Sequence, residues 1–179
     1  MDIRRPCGYY NAAITRCSES DIRLLVRCHH LIHSNGHPEN LPSNYLTTLA
    51  GVWNGIFGQP DSIVFKAHCG SEIIGFAYGR RNSSDDSELC QFDGAILLVN
   101  VLEKARRCAI GRRLLSCIAA NLFSGGMRNA FVSVHIDDTT SQEFIKFLGG
   151  KFYTVKIESD TIIYVWSDLL PLILDVFDA

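Results

Sequence analysis

The sequence predicts a mixed α/β fold with helices around a central, mostly antiparallel sheet, and three observations support it. Segments with strand and helix character follow one another along the 179 residues in the order β-α-α-β-β-β-α-β-α-β-β. Two pairs of strands are joined by short connections, at residues 69–71 and 159–160, which indicates antiparallel hairpins. The strand at residues 130–136 follows a strand and a helix, and a right-handed crossover makes those two strands parallel.

The first third of the chain is predicted to contain one strand, two helices and a hairpin. Residues 1–11 are read as a tail and residues 12–16 as the first strand. Ser18, followed by acidic residues, caps a helix that runs to about residue 33, and the Gly-Pro segment at 35–38 ends it. The second helix, from Pro42 to about residue 57, is expected to bury Tyr45, Leu46, Leu49, Val52, Trp53 and Ile56. The hairpin strands are residues 62–68 and 72–80.

The remaining elements surround a long central strand at residues 88–101, which follows a polar loop at 81–87. A helix ends near residue 124 at a Gly-Gly pair, and the parallel strand comes next. A short helix at 141–148 and a hairpin at 151–158 and 161–166 complete the pattern. We expect one domain over 1–179, with a core at about 12–166 and a short C-terminal helix at 168–177.

Composition excludes several classes of protein. A net charge of −2 gives no global argument for a nucleic-acid partner or an anionic membrane, and the apolar runs are too short for a membrane helix. Residues 1–10 lack the apolar core of a secretion signal. The seven cysteines are odd in number and include no C-x-x-C pair, which favours reduced thiols. We therefore expect a cytoplasmic protein that binds neither nucleic acid nor membrane, as a monomer or homodimer.

The stretch that carries most functional information runs from residue 93 to residue 123. An apolar strand at 95–101 leads through a basic turn into a helix, whose first N–H groups have no partner within the helix. Ala109 and Gly111 let a ligand approach the backbone, and four arginines surround them: Arg106, Arg107, Arg112 and Arg113. This arrangement fits a phosphate or pyrophosphate, and an ordinary surface cluster of arginines is the alternative. The P-loop and G-x-G-x-x-G motifs are both missing from the sequence.

The run Val101-x-x-x-x-Arg106-x-x-Ala109-x-Gly111 resembles the acyl-CoA signature of the GNAT N-acetyltransferase superfamily, R/Q-x-x-G-x-G/A after a strand that ends in valine. Ala109 departs from the first glycine of that signature. The resemblance extends from about residue 12 to residue 166 and includes the Phe144-Ile145 segment. It implies a GNAT-like sheet whose parallel strand pair is splayed apart at one end, so that unpaired backbone groups can bond to a pantetheine arm.

The resemblance also implies a binding site for acetyl-CoA as co-substrate. The pantetheine arm is expected against Leu98, Val99 and Val101. The pyrophosphate is expected on the segment that contains Arg106, Arg107, Cys108, Ala109, Ile110, Gly111 and Arg112. The implied activity is transfer of an acetyl group to a primary amine of a small molecule, a peptide N-terminus or a lysine. A non-catalytic acyl-CoA-binding sensor or interaction module is the alternative.

The positions that carry the chemistry in relatives differ in this chain. A glutamate that serves as general base in many relatives corresponds to Ala95, so Asp93, acting through a water, is the candidate base. A tyrosine that often protonates the leaving thiolate corresponds to Ile145. Ser141, Tyr153 and Tyr164 are the nearby substitutes, and the predicted catalytic set is Asp93, Tyr153 and Ser141. Each of the three also has a purely structural interpretation.

Four histidines, His29, His30, His33 and His37, raise the question of a metal. His29 and His33 have the i, i+4 spacing that can hold zinc, but no acidic or cysteine partner follows at a convincing spacing. We expect no metal. Together with Tyr45, these histidines are candidate contacts for the acceptor, and a solvated helix end is the alternative.

Overall fold

The structure is a computed structural model that describes residues 11–34 and 44–174. Its strands are β1 (Ala13–Arg16), β2 (Ser62–Cys69), β3 (Glu72–Arg81), β4 (Gly94–Val101), β5 (Ala130–His135), β6 (Lys151–Lys156) and β7 (Thr161–Trp166). Its helices are α1 (Ile22–His33), α2 (Tyr45–Phe57), α3 (Ile110–Ser124), α4 (Thr139–Phe147) and α5 (Leu170–Leu174). Short 3-10 turns occupy Glu19–Asp21, Glu103–Ala105 and Ile157–Ser159.

The seven strands form one sheet in the order β1-β2-β3-β4-β5-β7-β6. The pairs β1–β2, β5–β7 and β6–β7 are antiparallel, whereas β4 and β5 are parallel. The parallel register joins Gly94, Ala95 and Ile96 to Ala130, Phe131 and Val132. The predicted fold class, a mixed α/β protein with a mostly antiparallel sheet and one parallel pair, is therefore confirmed. The splaying of that pair stays a prediction.

The described chain divides into two compact units. The first contains the described residues up to Ala77 together with Leu98–Leu114, and the second contains Tyr78–Leu97 and the described residues from Leu115 onward. Three elements, β3, β4 and α3, pass from one unit into the other. The organisation of residues 1–179 as a single domain stays a prediction.

The core of the first unit is built on the aromatic residues of α1, α2 and β3. Trp53 has no exposed surface, and its ring lies 5.3 Å from the ring of Phe76, edge to face. His29 of α1 lies 5.4 Å from the same phenylalanine ring. Gly75 of β3 is needed on the opposite face, because an added Cβ would come within 2.9 Å of the Asn100 carbonyl oxygen.

The core of the second unit lies on two faces of the sheet. One face carries the cluster Leu89, Phe92, Ala95, Phe131 and Ile163, all buried. On the other face Gly79 lets α3 approach β3, since a Cβ there would lie 2.7 Å from Ile118 Cγ2. The sequence predicts one apolar side of α3, formed by Ile110, Leu114, Leu115, Ile118, Leu122 and Phe123. The structure buries the first five, of which Ile110 and Leu114 belong to the first unit, and it buries Phe123 only in part.

Two sequence predictions are corrected by the structure. β4 begins at Gly94 rather than residue 88, because the side chain of Asn82 donates to the carbonyl oxygens of Leu89 (2.7 Å) and Phe92 (2.8 Å) and holds that segment in turns. On α2, Leu46 and Val52 are 48% and 52% exposed. The helix fully buries only Leu49 and Trp53, while Tyr45 and Ile56 are partly buried.

Some predicted features lie outside the described residues. They are the N-terminal tail up to residue 10, the break at 35–38, the start of the second helix at Pro42 and the end of the C-terminal helix at 175–177. Within the described range, α5 covers Leu170–Leu174, inside the predicted helix 168–177.

Candidate functional site

The segment between β4 and α3 is fixed by buried anchors and leaves its basic residues exposed. The Leu102 N–H donates to the carbonyl oxygen of Ile74 at 2.9 Å, which holds the end of β4 on β3. The side chains of Ala105 and Cys108 are buried, with at most 1% exposed. Arg106 and Arg107 lie between these two anchors and are both exposed. The segment is therefore a rigid support for two outward-facing guanidinium groups.

Arg107 and Ala109 have positive φ angles, of 61° and 57°. Among the described non-glycine residues only Asp160 shares this conformation. A Cβ atom makes the left-handed region unfavourable by roughly 1–2 kcal/mol per residue. Strain of this kind concentrates at ligand sites, where the surrounding structure holds it in place. Two such residues within three positions mark this turn as a candidate binding site.

The first turn of α3 presents backbone donors next to the strained residues. The Arg113 N–H donates to the carbonyl oxygen of Ala109 at 3.0 Å, so the hydrogen-bond ladder of the helix starts there. The first amides of a helix, here those of Ile110 and Gly111, have no acceptor within the helix. The helix dipole adds partial positive charge at this end. These donors suit an anion.

The arginines differ in their availability. Arg113 donates from Nη2 to the carbonyl oxygen of Ala12 at 2.9 Å and so connects α3 to the start of β1. Arg106 donates from Nε to the Val101 carbonyl oxygen at 3.3 Å, a bond that does not use its two Nη nitrogens. Arg112 is half-buried. Of the four arginines counted in the sequence, Arg106 and Arg107 are thus the exposed pair.

The structure brings the predicted cofactor residues together on one continuous segment. Leu98, Val99 and Val101 form the end of β4, and residues 106–112 follow in the turn and the start of α3. All of them belong to the first unit. The predicted catalytic residues Asp93, Ser141 and Tyr153 all belong to the second.

Asp93 has a structural partner that the sequence did not reveal. Its Oδ2 accepts from the Arg128 N–H at 2.8 Å, and its own N–H donates to Asn129 Oδ1 at 2.7 Å. These bonds connect the residue before β4 to the residues before β5, where the parallel pair begins. An Asp-Gly pair such as Asp93-Gly94 is common in turns. In the structure the carboxylate of Asp93 bonds to the turn before β5.

Tyr153 and Ser141 are also held by local contacts. Tyr153 Oη accepts from Gln91 Nε2 at 2.6 Å, and its ring meets that of Phe92 edge to face at 5.3 Å. The Ser141 N–H donates to Asp138 Oδ1 at 3.0 Å and belongs to the N-terminal cap of α4. Tyr164 is buried, and its hydroxyl lies 3.5 Å from Gln142 Oε1.

The histidines of α1 line an aromatic cluster. His29 and His33 have ring centroids 4.6 Å apart, and His30 lies 5.9 Å from the ring of Tyr45. Burial, followed by the neighbouring His33, lowers the pKa of His29 to about 4, so His29 is neutral at physiological pH. Within residues 11–34 and 44–174, no three His, Cys, Asp or Glu side chains are arranged to hold a metal ion. His37 lies outside the described residues.

The expectation that every thiol is reduced is corrected at one position. Cys17, Cys28, Cys69, Cys90 and Cys117 are free thiols, whereas Cys108 is disulfide-bonded. Disulfide formation depends on the approach of two Cβ atoms in space, and spacing in the sequence does not report it. Cys7 lies outside the described residues.

A family model described as the acetyltransferase (GNAT) family matches residues 28–149 of this sequence, more than half of the chain. The chain belongs to the GNAT acetyltransferase family. The matched region contains the complete β4–turn–α3 segment. GNAT proteins are acyltransferases, so acyl transfer is the general activity of the family to which this site belongs. A comparison of the sequence with curated proteins finds no significant match.

Solved structures of acetyltransferases share the fold. An acetyltransferase from Thermus thermophilus superposes with a TM-score of 0.69 at 19% identity, over 87% of this chain and 96% of that one. The PaiA N-acetyltransferase from Thermoplasma acidophilum, solved in complex with coenzyme A, gives 0.68 at 14% identity over 87% and 98%. A GNAT-family acetyltransferase from Staphylococcus aureus gives 0.64 at 15% identity over 86% and 97%. At these identities the likeness concerns the fold alone.

Among residues 11–34 and 44–174 of this GNAT chain, no helix is both long and apolar enough to cross a bilayer. A cytoplasmic location stays a prediction.

Proposed function

We propose that this protein is an N-acetyltransferase that moves the acetyl group of acetyl-CoA to a primary amine. The acceptor is a small molecule, a peptide N-terminus or a lysine. The observation that carries the proposal is the strained turn at Arg107 and Ala109, which combines exposed guanidinium groups with the first amides of α3, whose N–H groups have no acceptor within the helix. Family membership supports acyl transfer in general, and this turn supports a nucleotide-bearing thioester as the donor.

The pyrophosphate of the cofactor is assigned to the backbone amides of residues 106–112. Ala109 and Gly111 keep side-chain bulk away from this backbone, while Arg106 and Arg107 supply charge-assisted hydrogen bonds to the anion. The pantetheine arm is assigned to the end of β4, along Leu98, Val99 and Val101. The arm can bond to backbone groups as an added strand would.

Acetyl transfer then requires one bond to form and one to break. The amine nitrogen attacks the thioester carbonyl carbon, a C–N bond forms, the C–S bond breaks and the thiolate leaves. A backbone N–H near Val101 is proposed to polarise the carbonyl oxygen. Asp93 is the proposed base, acting through a water, and Tyr153 or Ser141 is the proposed source of the proton for the thiolate.

A second candidate function is acyl-CoA binding without turnover, and specific observations favour it. Ala95 and Ile145, which occupy the positions of the base and acid of many relatives, are buried and cannot exchange protons. The carboxylate of Asp93 already accepts a hydrogen bond from a backbone amide. A sensor or interaction module needs the cofactor site and neither of these groups.

The cofactor site is tested by calorimetric titration of CoA into two variants. Arg106→Ala removes one charged donor, and we expect affinity to fall about tenfold. Gly111→Glu places bulk and negative charge where the pyrophosphate should lie, and we expect a loss of about a hundredfold or more.

Matched controls are Arg23→Ala, which removes an exposed arginine of α1, and Gly51→Glu, where an added Cβ would meet no atom within 4 Å. Both should bind CoA as the wild type does. Wild-type affinity in the two site variants as well would contradict the proposed pyrophosphate site.

Catalysis is tested separately by the release of free thiol from acetyl-CoA in the presence of a panel of amines. The enzyme hypothesis expects amine-dependent release that falls at least about tenfold in Asp93→Asn. The asparagine side chain can still accept the Arg128 N–H, so the turn before β5 should persist. CoA binding without thiol release from any amine, unchanged by this substitution, would favour the sensor.

A further inference from the structure

The edge strand β6 exposes a group of large apolar side chains. Phe152 is 61% exposed, Val155 40% and Ile157, just beyond the strand, 83%. In the described part of the chain β6 pairs with β7 on one side, and the sheet ends there. A sheet edge offers a row of unpaired N–H and C=O groups, and apolar side chains beside it mark a site for another strand.

A β-bulge places Phe152 and Val155 on one face. Phe152 pairs with Tyr164 and Val155 pairs with Ile162, while the register shifts between them and leaves Tyr153 as the extra residue. Tyr164 and Ile162 are two positions apart and therefore face the same side of the sheet. Since directly opposed residues also share a face, Phe152 and Val155 lie on the same side although they are three positions apart.

The polar residues of β6 point to the other face. Tyr153 packs on Phe92, and Lys156 bonds to Asp86 Oδ2 at 2.9 Å and to Glu88. Lysines on edge strands often prevent pairing between molecules. Here the ammonium group of Lys156 is bound by two carboxylates on the opposite face, so it does not protect the apolar face that carries Val155.

We propose that this edge is the interface to a second copy of the chain, with the two β6 strands antiparallel about a two-fold axis at Val155. The bulge then sets the register. Thr154 of each copy faces Lys156 of the other, Phe152 comes next to Ile157, and Lys151 comes next to Glu158. Backbone pairing covers Thr154–Lys156, because Ile157 begins a 3-10 turn and contributes through its side chain.

The self-complementarity of this register is what favours a second copy over another kind of strand. Any extended segment could satisfy the backbone groups of a free edge. The two-fold arrangement additionally matches apolar residues with apolar residues and, twice, a lysine with a glutamate. In an isologous interface both copies contribute the same surface, so this surface has to be complementary to itself.

The first test is sedimentation equilibrium of the full chain over a wide range of concentration. Wild type should show a monomer–dimer equilibrium. Val155→Arg sets two guanidinium groups against each other on the axis, and we expect the dimer to weaken at least about a hundredfold. The matched control is Val52→Arg, which makes the same substitution at an exposed position of α2 and should leave the equilibrium unchanged.

Circular dichroism spectra like that of wild type and a cooperative thermal transition in each variant establish that both are folded. Wild type that stays monomeric up to about 0.1 mM would overturn the proposal. A dimer that Val155→Arg and Val52→Arg leave equally intact would overturn it too. CoA affinity, measured in parallel, separates this result from that of the proposed function, because the inference does not depend on the cofactor.

The second test is a charge reversal that is specific for the register. The proposed dimer contains two contacts between Lys151 of one copy and Glu158 of the other. Each of the single variants, Lys151→Glu and Glu158→Lys, gives both contacts two like charges and should weaken association about tenfold at low salt. The double variant restores opposite charges and should return to within about threefold of wild type. A double variant that shows the sum of the two losses would exclude this register.

Discussion

At the scale of the residue, the distinctive feature of this GNAT chain is Ala109. The family signature has glycine there, and the φ angle of +57° is one that glycine adopts without cost. The alanine Cβ therefore introduces strain into a turn that is anchored by the buried side chains of Ala105 and Cys108. The loop keeps its conformation because its buried neighbours determine it.

We predict that Ala109→Gly does not lower stability, although the same change usually costs about 0.5–1 kcal/mol. Removal of the strained Cβ should offset the greater freedom of glycine in the unfolded chain, for a net change between zero and a gain of about 1 kcal/mol. The measurement is urea unfolding. Ala120→Gly in α3 is the control and should lose about 1 kcal/mol, as expected within a helix. Equal losses in both variants would contradict the account of strain.

At the scale of the element, the start of α1 is fixed to β2 by one carboxylate. Asp21 Oδ2 accepts from the Ser18 N–H at 3.0 Å and completes a capping box. Its other oxygen accepts from Lys66 of β2, with side-chain exposures of 12% for Asp21 and 18% for Lys66. Burial by itself would raise the pKa of Asp21, but the bonds from Lys66 and Ser18 outweigh it and lower the pKa below 3.8.

We predict that Asp21→Asn lowers the free energy of unfolding by about 2 kcal/mol at pH 7, because it removes the partner of a largely buried ammonium group. A carboxyl group with a lowered pKa stabilises the fold above its unfolded pKa, and this contribution is lost as pH falls through the folded pKa. The difference between wild type and variant should therefore shrink below about pH 3.8.

The measurement is denaturant unfolding at several pH values from 7 to 3. The control is Asp61→Asn, which changes an exposed aspartate just before β2 and should have little effect at any of them. A difference between wild type and Asp21→Asn that stays constant down to pH 3 would show that the charge of Asp21 does not matter.

At the scale of the whole molecule, the thiols report which parts of the chain are closed to solvent. Burial raises the pKa of Cys17 and of Cys28 to about 12, with Asp21 adding to the effect at Cys17 and Glu72 at Cys28. At pH 8 only about one in ten thousand of such groups is ionised. Cys90, by contrast, is exposed in the turn before β4.

We predict that a thiol reagent such as dithionitrobenzoate labels Cys90 in the native protein within minutes, whereas Cys17 and Cys28 react only when the chain unfolds. Cys90→Ser should remove the contribution of Cys90 to the fast phase, and mass spectrometry after labelling distinguishes it from the partly buried thiols of Cys69 and Cys117. Rapid native labelling of Cys28 would show that the core of the first unit opens without global unfolding.

The sequence by itself determined the fold class and the position of the strand–turn–helix segment. These properties depend on hydrophobic period, short connections and the spacing of a few residues, and all of these act within about twenty positions along the chain. The parallel pair was predictable for the same reason, because the handedness of a crossover is a local constraint.

Only the tertiary structure decided which of the candidate site residues form hydrogen bonds with distant parts of the chain. Arg113 is bound to Ala12 and Asp93 to Arg128, over separations of 101 and 35 residues. The backbone strain at Ala109 exists because buried neighbours hold the turn, and the bulge at Tyr153 exists because β7 sets the register of β6. Contacts between distant residues depend on packing in three dimensions, and neither propensity nor spacing encodes them locally.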